Sequence, residues 1–479
     1  MSGTSAIQLS RFLLMKQANG DSVNENMCVL GGAQFLPPTS PAISRIQNDL
    51  KLPNPAYKQA QALRGRGRWV EIPDRHISGC QEIPPSHPWG GGLSVPRCVD
   101  LSAYGLDVRD MRGTPKSRPV SFLKSIELRD YQKEAVHLWV MAGGDGVIVA
   151  PCGAGKTVMG LAALTKVDTK ALVLVHTKDL AQQWSERCRQ MLGEEVTMYG
   201  GGKRDDSGRI VVATFQTIEK MKWSERYQWA KQFGMCLVDE AHHVPATTFC
   251  SVISTIPARY RLGLTATPDR PDGLTDLLHW HLGPVVFSID TKTLAINGQV
   301  VAPKIEWLNT KWAPSKEGQD WSKLITEMTR DDDRNATIIY RVMKAVDNGR
   351  QVLVLSDRVE HCETLAKHLS EYRLRSAAFV GSVSKKKRQL ILEQANSREL
   401  DVICATTVAD EGLDLPGLDT VMLTTPSKAL NRVQQRIGRV MRPHPDKKEP
   451  LVIDLVDEPG SLRGIAKKRL RLYTRLGCR

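Results

Sequence analysis

From Leu128 onward the hydrophobic positions of this chain gather into short unbroken runs, whereas before that point they do not. Val147–Ala150, Ala171–Val175, Ile210–Ala213, Met235–Val238 and Leu262–Leu264 form one series, separated by stretches with helical apolar spacing. A run of that length with no polar interruption suits a strand buried on both faces. Strands alternating with helices predict a parallel sheet covered on both sides. A second series follows at Val352–Leu355, Ala377–Val380, Val402–Ala405, Val421–Leu423 and Leu451–Leu455. Two α/β parallel-sheet domains in series are therefore expected. Their join lies near Gly283–Pro314, where Val300-Val301-Ala302-Pro303 reads as an extended crossover rather than a core element. Residues 1 to about 125 differ: Pro37-Pro38, Pro84-Pro85 and Gly90-Gly91-Gly92 punctuate them and no period is sustained. They form either a small irregular accessory domain or, in part, a flexible arm. The expected division is 1–125, 126–295 and 296–479.

Composition narrows the class. Across 479 residues 41% are hydrophobic, enough for several cores. No stretch approaches the roughly 18 apolar residues of a membrane span, and Phe12-Leu13-Leu14-Met15 is too short for a signal-peptide core. The ten cysteines include no Cys-x-x-Cys pair, which argues against a structural zinc and a disulfide framework. The expectation is a reduced, cytoplasmic protein with no membrane partner, nucleoid-associated if prokaryotic or phage. A net charge of +14 points to a polyanionic partner. Arg64, Arg66 and Arg68 alternate with residues that include two glycines ahead of Trp69. A second cluster holds Arg463, Lys467, Lys468, Arg469, Arg471, Arg475 and Arg479. Either cluster taken alone equally suits a solvated helix face. Trp69 and Trp89 could stack on bases, but burial in a core is the favoured reading.

The chemistry lies in the loops that follow two of the runs. Ala150-Pro151-Cys152-Gly153-Ala154-Gly155-Lys156-Thr157 is a glycine-rich turn between an apolar strand and the apolar-periodic stretch Val158–Leu164. In such a turn backbone N–H groups wrap phosphates, the lysine neutralises β- and γ-oxygens, and the threonine hydroxyl reaches a magnesium ion. The strict pattern wants glycine where Ala150 stands. Downstream, Asp239-Glu240-Ala241-His242 closes another buried-strand run, at the end where parallel sheets place ligands. Asp239 can hold the metal through its water shell and Glu240 can polarise the attacking water. Thr157 and Asp239 are the metal candidates. Gln435-Arg436-Ile437-Gly438-Arg439-Val440-Met441-Arg442 sets arginines three apart, so Arg439 and Arg442 share one side of a helix. A guanidinium reaching the γ-phosphate is worth roughly 10³–10⁵ in rate. An exposed basic helix fits the octapeptide equally well.

Together these segments resemble the superfamily 2 helicases and translocases, and among them the XPB/UvsW-like DEAH group, over residues 125–479. The resemblance implies two tandem RecA-like domains behind a small N-terminal accessory domain, with ATP and Mg²⁺ as cofactors. Leu128-Arg129-Asp130-Tyr131-Gln132 resembles the Q-motif, in which Arg129 and Gln132 would contact adenine. Residues 150–157 are similar to the group's phosphate loop, with Gly153, Ala154, Gly155, Lys156 and Thr157 around the nucleotide and Ala150 at its first position. Leu174-Val175-His176-Thr177, with Leu180 and Trp184, resembles motif Ia, and Ala213–Thr217 the next backbone-contacting motif. These assign Thr177, Thr214 and Gln216 to a nucleic-acid strand. Gly263–Pro268 resembles motif III, which couples hydrolysis to domain movement, and Leu353–Arg358 motif IV. Thr406–Pro416 resembles motif V, with Thr406 and Thr407 on the strand and Gly412 and Asp414 near the nucleotide. Gln435–Arg442 resembles motif VI, which gives Gln435, Arg439 and Arg442 catalytic places beside Lys156, Asp239 and Glu240.

The resemblance implies an ATP-dependent DNA helicase or duplex translocase acting in repair, recombination or branch migration, moving 3′ to 5′. ATP held between two domains that grip one strand would shift the grip with each hydrolysis. Phosphate contacts carry no sequence information, so binding to single-stranded, forked or branched DNA is expected to be sequence-independent. An RNA helicase stays open, since backbone contacts dominate both cases. So does a motor subunit of a restriction or defence assembly, whose protein partner supplies nuclease or loading functions. The N-terminal segment is loosely similar to one that precedes the motor in phage and bacterial relatives, and a DNA-sensing role is the expectation for it.

Overall fold

The computed structural model describes residues 27–478, apart from 66, 68, 86–90, 124–125, 152, 201–202, 241–245, 268–269, 271, 317–319, 407–414, 428, 446 and 459. Contacts divide the chain into two compact units. One comprises the residues up to Val149 with Thr157–Ser288, and the other Ala150–Lys156 with Ile289–Arg479.

In the first unit the five apolar runs form adjacent parallel strands in the order Ile210–Thr214, Ala171–Val175, Met235–Asp239, Tyr260–Thr265, Asp145–Val149. Their side chains are almost entirely removed from water. On one face Leu172, Leu174, Val211, Ala213, Cys236 and Val238 meet Phe215, Phe249, Val252 and Ile253 from the covering helices. Three further strands extend the sheet beyond the five runs read from the sequence: Thr197–Gly200, Lys203–Arg204 and Val285–Ser288, the last carrying the short apolar run Val285-Val286-Phe287. All three are at or near the edges. Thr197–Gly200 is only half-buried and Val285–Ser288 is partly exposed, so neither needed an unbroken hydrophobic sequence.

Residues 27–110 fold as a small mixed sheet in the order Gln81–Ile83, Gly92–Val95, Gln34–Leu36, Met27–Leu30, Asp107–Asp110. The helix Ile43–Asp49 covers it, and Cys28, Leu36, Ile46, Leu50, Leu93 and Val95 make a core of their own. Over the described residues this is the accessory domain rather than the arm. Trp69 is a correction: it is 89% exposed and contributes to no core. Trp89 lies outside the described residues.

This domain is joined to the first parallel sheet by two arginines. Arg261, wholly buried near the start of the strand Tyr260–Thr265, donates to four carbonyl oxygens: Gly32 at 2.6 Å, Ile256 and His281 at 2.7 Å, and Ile253 at 2.9 Å. Burial depresses its pKa to about 9, and the convergent carbonyl dipoles substitute for water around the cation. Arg97, from the accessory domain, ion-pairs with Asp145 and donates to the carbonyls of Ala258 and Arg259. Asp145 and Arg261 are register partners at the amino ends of their strands. The accessory domain therefore sits on the amino edge of the sheet. Backbone approach there is close: a Cβ on Gly32 would lie 2.3 Å from the Ser254 carbonyl oxygen, and one on Gly79 would lie 2.4 Å from the Trp280 ring.

The second unit holds a six-stranded, all-parallel sheet in the order Lys304–Asn309, Leu451–Val456, Thr420–Leu423, Val352–Leu355, Val402–Ala405, Ser376–Phe379. The strand Lys304–Asn309 follows directly on the expected crossover. Its half-buried, alternating sequence hid it from the search for apolar runs. Charged groups inside this unit are paired. Arg334 donates to Asp457 at 2.8 Å and to the Thr424 carbonyl at 2.6 Å. Arg469 donates to Asp454 at 2.7 Å, and Tyr473 also bonds that carboxylate. His361 lies between Ser356 Oγ and Asn335 Oδ1, each at 2.9 Å. The Asn335 oxygen needs a donor, which assigns the proton to Nε2 and leaves Nδ1 to accept from the serine.

Two predictions follow from this packing. Gly32→Ala should cost roughly 1–3 kcal/mol by overpacking, read as a fall in the thermal midpoint. Gly31→Ala, where the nearest atom lies at 3.8 Å, should be tolerated. The second prediction concerns acid. Burial lowers the pKa of both His281 and His361 from 6.5 to about 3, so below pH 6.5 the unfolded chain binds protons that the folded chain does not. Each histidine's contribution is complete above pH 6.5 and falls by about 1.4 kcal/mol per pH unit toward pH 3. His361→Gln should flatten the thermal midpoint against pH in that window, and an unchanged slope would contradict the assignment.

Candidate nucleotide and nucleic-acid site

Seven of the eight strands of the first sheet run the same way, so the loops after them leave its carboxyl edge together, and every candidate residue of the first unit other than Arg129 and Gln132 belongs to one of them. After Asp145–Val149 comes the phosphate-loop sequence, carried there by chain continuity. Gly153 and Gly155 adopt φ of +88° and +79°, values that favour glycine. The Ala154 amide bonds back to the Pro151 carbonyl at 3.2 Å, and the helix Lys156–Leu164 starts at once. Lys156 Nζ donates to the Ala150 carbonyl at 3.2 Å. Ala150 is fully buried and is not among the residues with positive φ. The position therefore does not demand glycine, and the departure from the strict pattern needs no compensation. Cys152 lies outside the described residues.

After Met235–Asp239 come the two acids. Asp239 is 5% exposed, and its Oδ2 accepts from the indole N–H of Trp184 at 2.8 Å. Glu240 takes φ of +51°, one of three non-glycine residues with positive φ among those described. Its amide bonds the Leu264 carbonyl at 2.9 Å, and its Oε2 accepts from the Ala266 amide at 3.3 Å. The acids and the Thr265–Thr267 turn are thus joined side to side. That turn is closed by Thr265 Oγ1 donating to the Thr267 carbonyl at 2.8 Å. Ala241 and His242 lie outside the described residues.

The remaining loops follow the neighbouring strands. Thr177, beyond Ala171–Val175, caps the helix Lys178–Leu192 by accepting from the Leu180 amide at 3.3 Å. Thr214 likewise caps Phe215–Glu219 through the Thr217 amide at 3.3 Å, and Gln216 is exposed on that first turn. Strand order sorts the candidates: those for nucleic acid occupy one end of the row and those for phosphate the other, with the acids between. Adjacent strands are about 4.8 Å apart. Arg129 and Gln132 open the helix Asp130–Met141, where the buried Gln132 side chain accepts from the Arg129 amide at 3.1 Å.

In the second unit Thr406 is buried directly after Val402–Ala405, while Thr407, Gly412 and Asp414 lie outside the described residues. Gln435 and Arg436 are buried on the helix Leu430–Gly438, and Arg436 pairs with Asp357 at 3.1 Å. The α-helix stops at Gly438, short of the span the octapeptide suggested. It continues as bonds from the Arg439, Val440 and Met441 amides to carbonyls three residues back. In such tighter turns residues three apart eclipse, so half-buried Arg439 and Arg442 keep a common side.

Two residues that sequence reasoning passed over matter here. Trp184 was placed only as part of a motif string, yet it holds Asp239. Its spacing with Ala181, Cys188 and Leu192 marks the buried helix face, and a buried indole N–H needs an acceptor. Gly160 lets the phosphate-loop helix close on that ring, since a Cβ there would lie 2.7 Å from Trp184 and 2.8 Å from Leu237. Among the described residues no three His, Cys, Asp or Glu side chains form a metal cage, and no helix is long and apolar enough to cross a membrane.

Comparison with known proteins gives two domain matches: "Type III restriction enzyme, res subunit" over residues 125–270 and "Helicase conserved C-terminal domain" over 334–444. A putative ATP-dependent RNA helicase of Acanthamoeba polyphaga mimivirus is 27% identical over 376 residues, covering 76% of this chain and 69% of that protein. The DNA 3′-5′ translocase XPB2 of Sulfurisphaera tokodaii is 27% identical over 391 residues, covering 74% of this chain and 87% of that protein. Among solved structures, the helicase MrfA bound to DNA superposes with a TM-score of 0.56 at 17% identity, covering 76% of this chain. The present chain spans 52% of MrfA's length, and at that identity the likeness bears on the fold alone. With the restriction-enzyme res-subunit and helicase C-terminal domains matched in order on two parallel-sheet units, and XPB and Rad25 helicases among its relatives, the chain carries the paired domains of a helicase and is similar to the XPB-like group of superfamily 2.

Proposed function

We propose that the chain is an ATP-driven motor that moves along or remodels DNA without regard to sequence, and that Glu240 orients the water attacking the γ-phosphate. One observation carries this reading: Glu240 is held in a left-handed backbone conformation, with its carboxylate tied to the Ala266 amide. Strain of about 1–3 kcal/mol at a non-glycine residue persists only where surroundings impose it, and such residues cluster at active sites. Here it follows a buried acid at the carboxyl end of a parallel strand, where α/β sheets bind ligands.

The other roles follow from residue chemistry. The glycine turn offers backbone N–H groups to phosphates, and Lys156 exchanges its carbonyl partner for phosphate oxygens. Arg439 and Arg442 supply guanidinium charge to the γ-phosphate, with Gln435 beside them. Arg129 and Gln132 would contact adenine, and Gly412 and Asp414 the nucleotide. Mg²⁺ suits the donor set: it keeps most of its waters and takes only one or two protein oxygens beside the phosphates. Thr157 and Asp239, with no cage of metal-binding side chains around them among the described residues, match that need. The ion would neutralise charge on the phosphate oxygens. Trp184 holds the orientation of the Asp239 carboxylate through Oδ2. Thr177, Thr214, Gln216, Thr406 and Thr407 would hold one strand by its phosphates. Relatives named as DNA 3′-5′ translocases and helicases favour DNA and that direction.

Steady-state ATP hydrolysis, alone and with single-stranded DNA, forked DNA or RNA, tests the reading. DNA should stimulate turnover, and stimulation by RNA alone would make the chain an RNA helicase. Glu240→Gln should lower turnover by about 10²–10⁴-fold while equilibrium binding of ATP persists. Retained turnover would remove Glu240 from its role. Trp184→Phe keeps an aromatic ring but loses the indole donor. It should raise the Mg²⁺ concentration for half-maximal turnover by roughly 10–100-fold, more than it changes KM for ATP.

A further inference from the structure

The helix Gly460–Arg475 carries six of the seven residues of the C-terminal basic cluster and separates them into two kinds of side chain, while Arg479 lies outside the described residues. Arg469 turns inward to Asp454, on the side where Leu462, Ile465, Leu472 and Tyr473 are buried. Arg463, Lys467, Arg471 and Arg475 all lie on the exposed side, each four residues after the last, with Lys468 beside them. Residues four apart are neighbours on a helix, so these cations form one continuous ridge. At 1.5 Å per residue the ridge is about 18 Å long.

No described residue of the fold forms an ion pair with this exposed charge. The helix contains no aspartate or glutamate. Among the described residues no ion pair joins any of the five exposed cations, although Arg341, Arg375 and Arg330 elsewhere in the same unit pair with Glu306, Asp401 and Glu360. The nearby acids Asp454 and Asp457 are buried and committed to Arg469 and Arg334. Like charges at four-residue spacing repel, and Arg463 sits toward the amino end, where the helix dipole disfavours a cation. The ridge therefore opposes folding slightly. A surface that costs the fold and matches a polyanion is explained by a polyanion.

We propose that this ridge is a second phosphate-backbone contact that takes duplex DNA along its outer face, separate from the strand-end loops. The proposal rests on the DNA-motor reading and adds a binding surface to it. A rigid row of about 18 Å spans the axial length of roughly five phosphates of one strand. Single strands are gripped by stacking on aromatic rings, and the exposed side of this helix carries none: besides its cations it presents Gly464, Leu470 and Thr474.

The experiment uses the full chain and a labelled 20-base-pair duplex, with binding followed by fluorescence anisotropy from low to moderate salt. Replacing Arg463, Lys467, Arg471 and Arg475 together by glutamine should reduce the slope of log affinity against log salt by about 3.6, at roughly 0.9 per lost phosphate contact. Lysine at the three arginine positions should restore it. ATP turnover without nucleic acid and single-strand affinity should stay as in the unaltered chain, and the thermal midpoint should rise slightly or stay, not fall. An unchanged duplex slope overturns the ridge and leaves the motor reading standing. So does a loss seen only with single strands or only with duplex RNA. An unaltered chain that binds no DNA at any salt overturns both.

Discussion

A parallel sheet covered on both faces leaves polar chemistry only at the ends of its strands. That constraint organises this protein twice over. Side chains along the strands are spent on cores that exclude water, so reactive groups gather in the loops, and parallel direction brings those loops to one edge. In the first sheet the edge carries the phosphate loop, the two acids, the Thr265–Thr267 turn and the capping threonines. The order of strands, rather than the order of sequence, decides which of them are neighbours.

Several polar groups that enter the interior are matched to a partner, and the matching does positional work. The indole of Trp184 selects the orientation of the Asp239 carboxylate. Asp357 neutralises Arg436 beneath the helix whose end presents Arg439. Of the arginines in that octapeptide, the first is therefore committed to structure.

Strands buried on both sides were legible in the sequence because nothing polar can interrupt them. The phosphate loop and the acid pair were legible because their spacing is dictated by the ligand. An edge strand such as Lys304–Asn309 was not, since one exposed face permits the mixed sequence that loops also use. The accessory sheet escaped for a related reason: its strands are three or four residues long and its core borrows Trp280 from the neighbouring domain. Trp69 shows the opposite limit, for a large ring in a glycine-arginine segment carries no sign of which side faces water. Nor could the sequence say that Arg469 alone of its cluster turns inward, because that depends on where Asp454 lies.

The bonds of Arg261 and Arg97 give the accessory sheet a mechanical meaning. Both grip the amino ends of the strands Tyr260–Thr265 and Asp145–Val149. The far ends of those strands lead into the Thr265–Thr267 turn and the phosphate loop. Strands resist stretching along their length, being already nearly extended. A load applied to residues 27–110 is thus delivered along two stiff rods to the loops beside the acids, with no soft linker to absorb it.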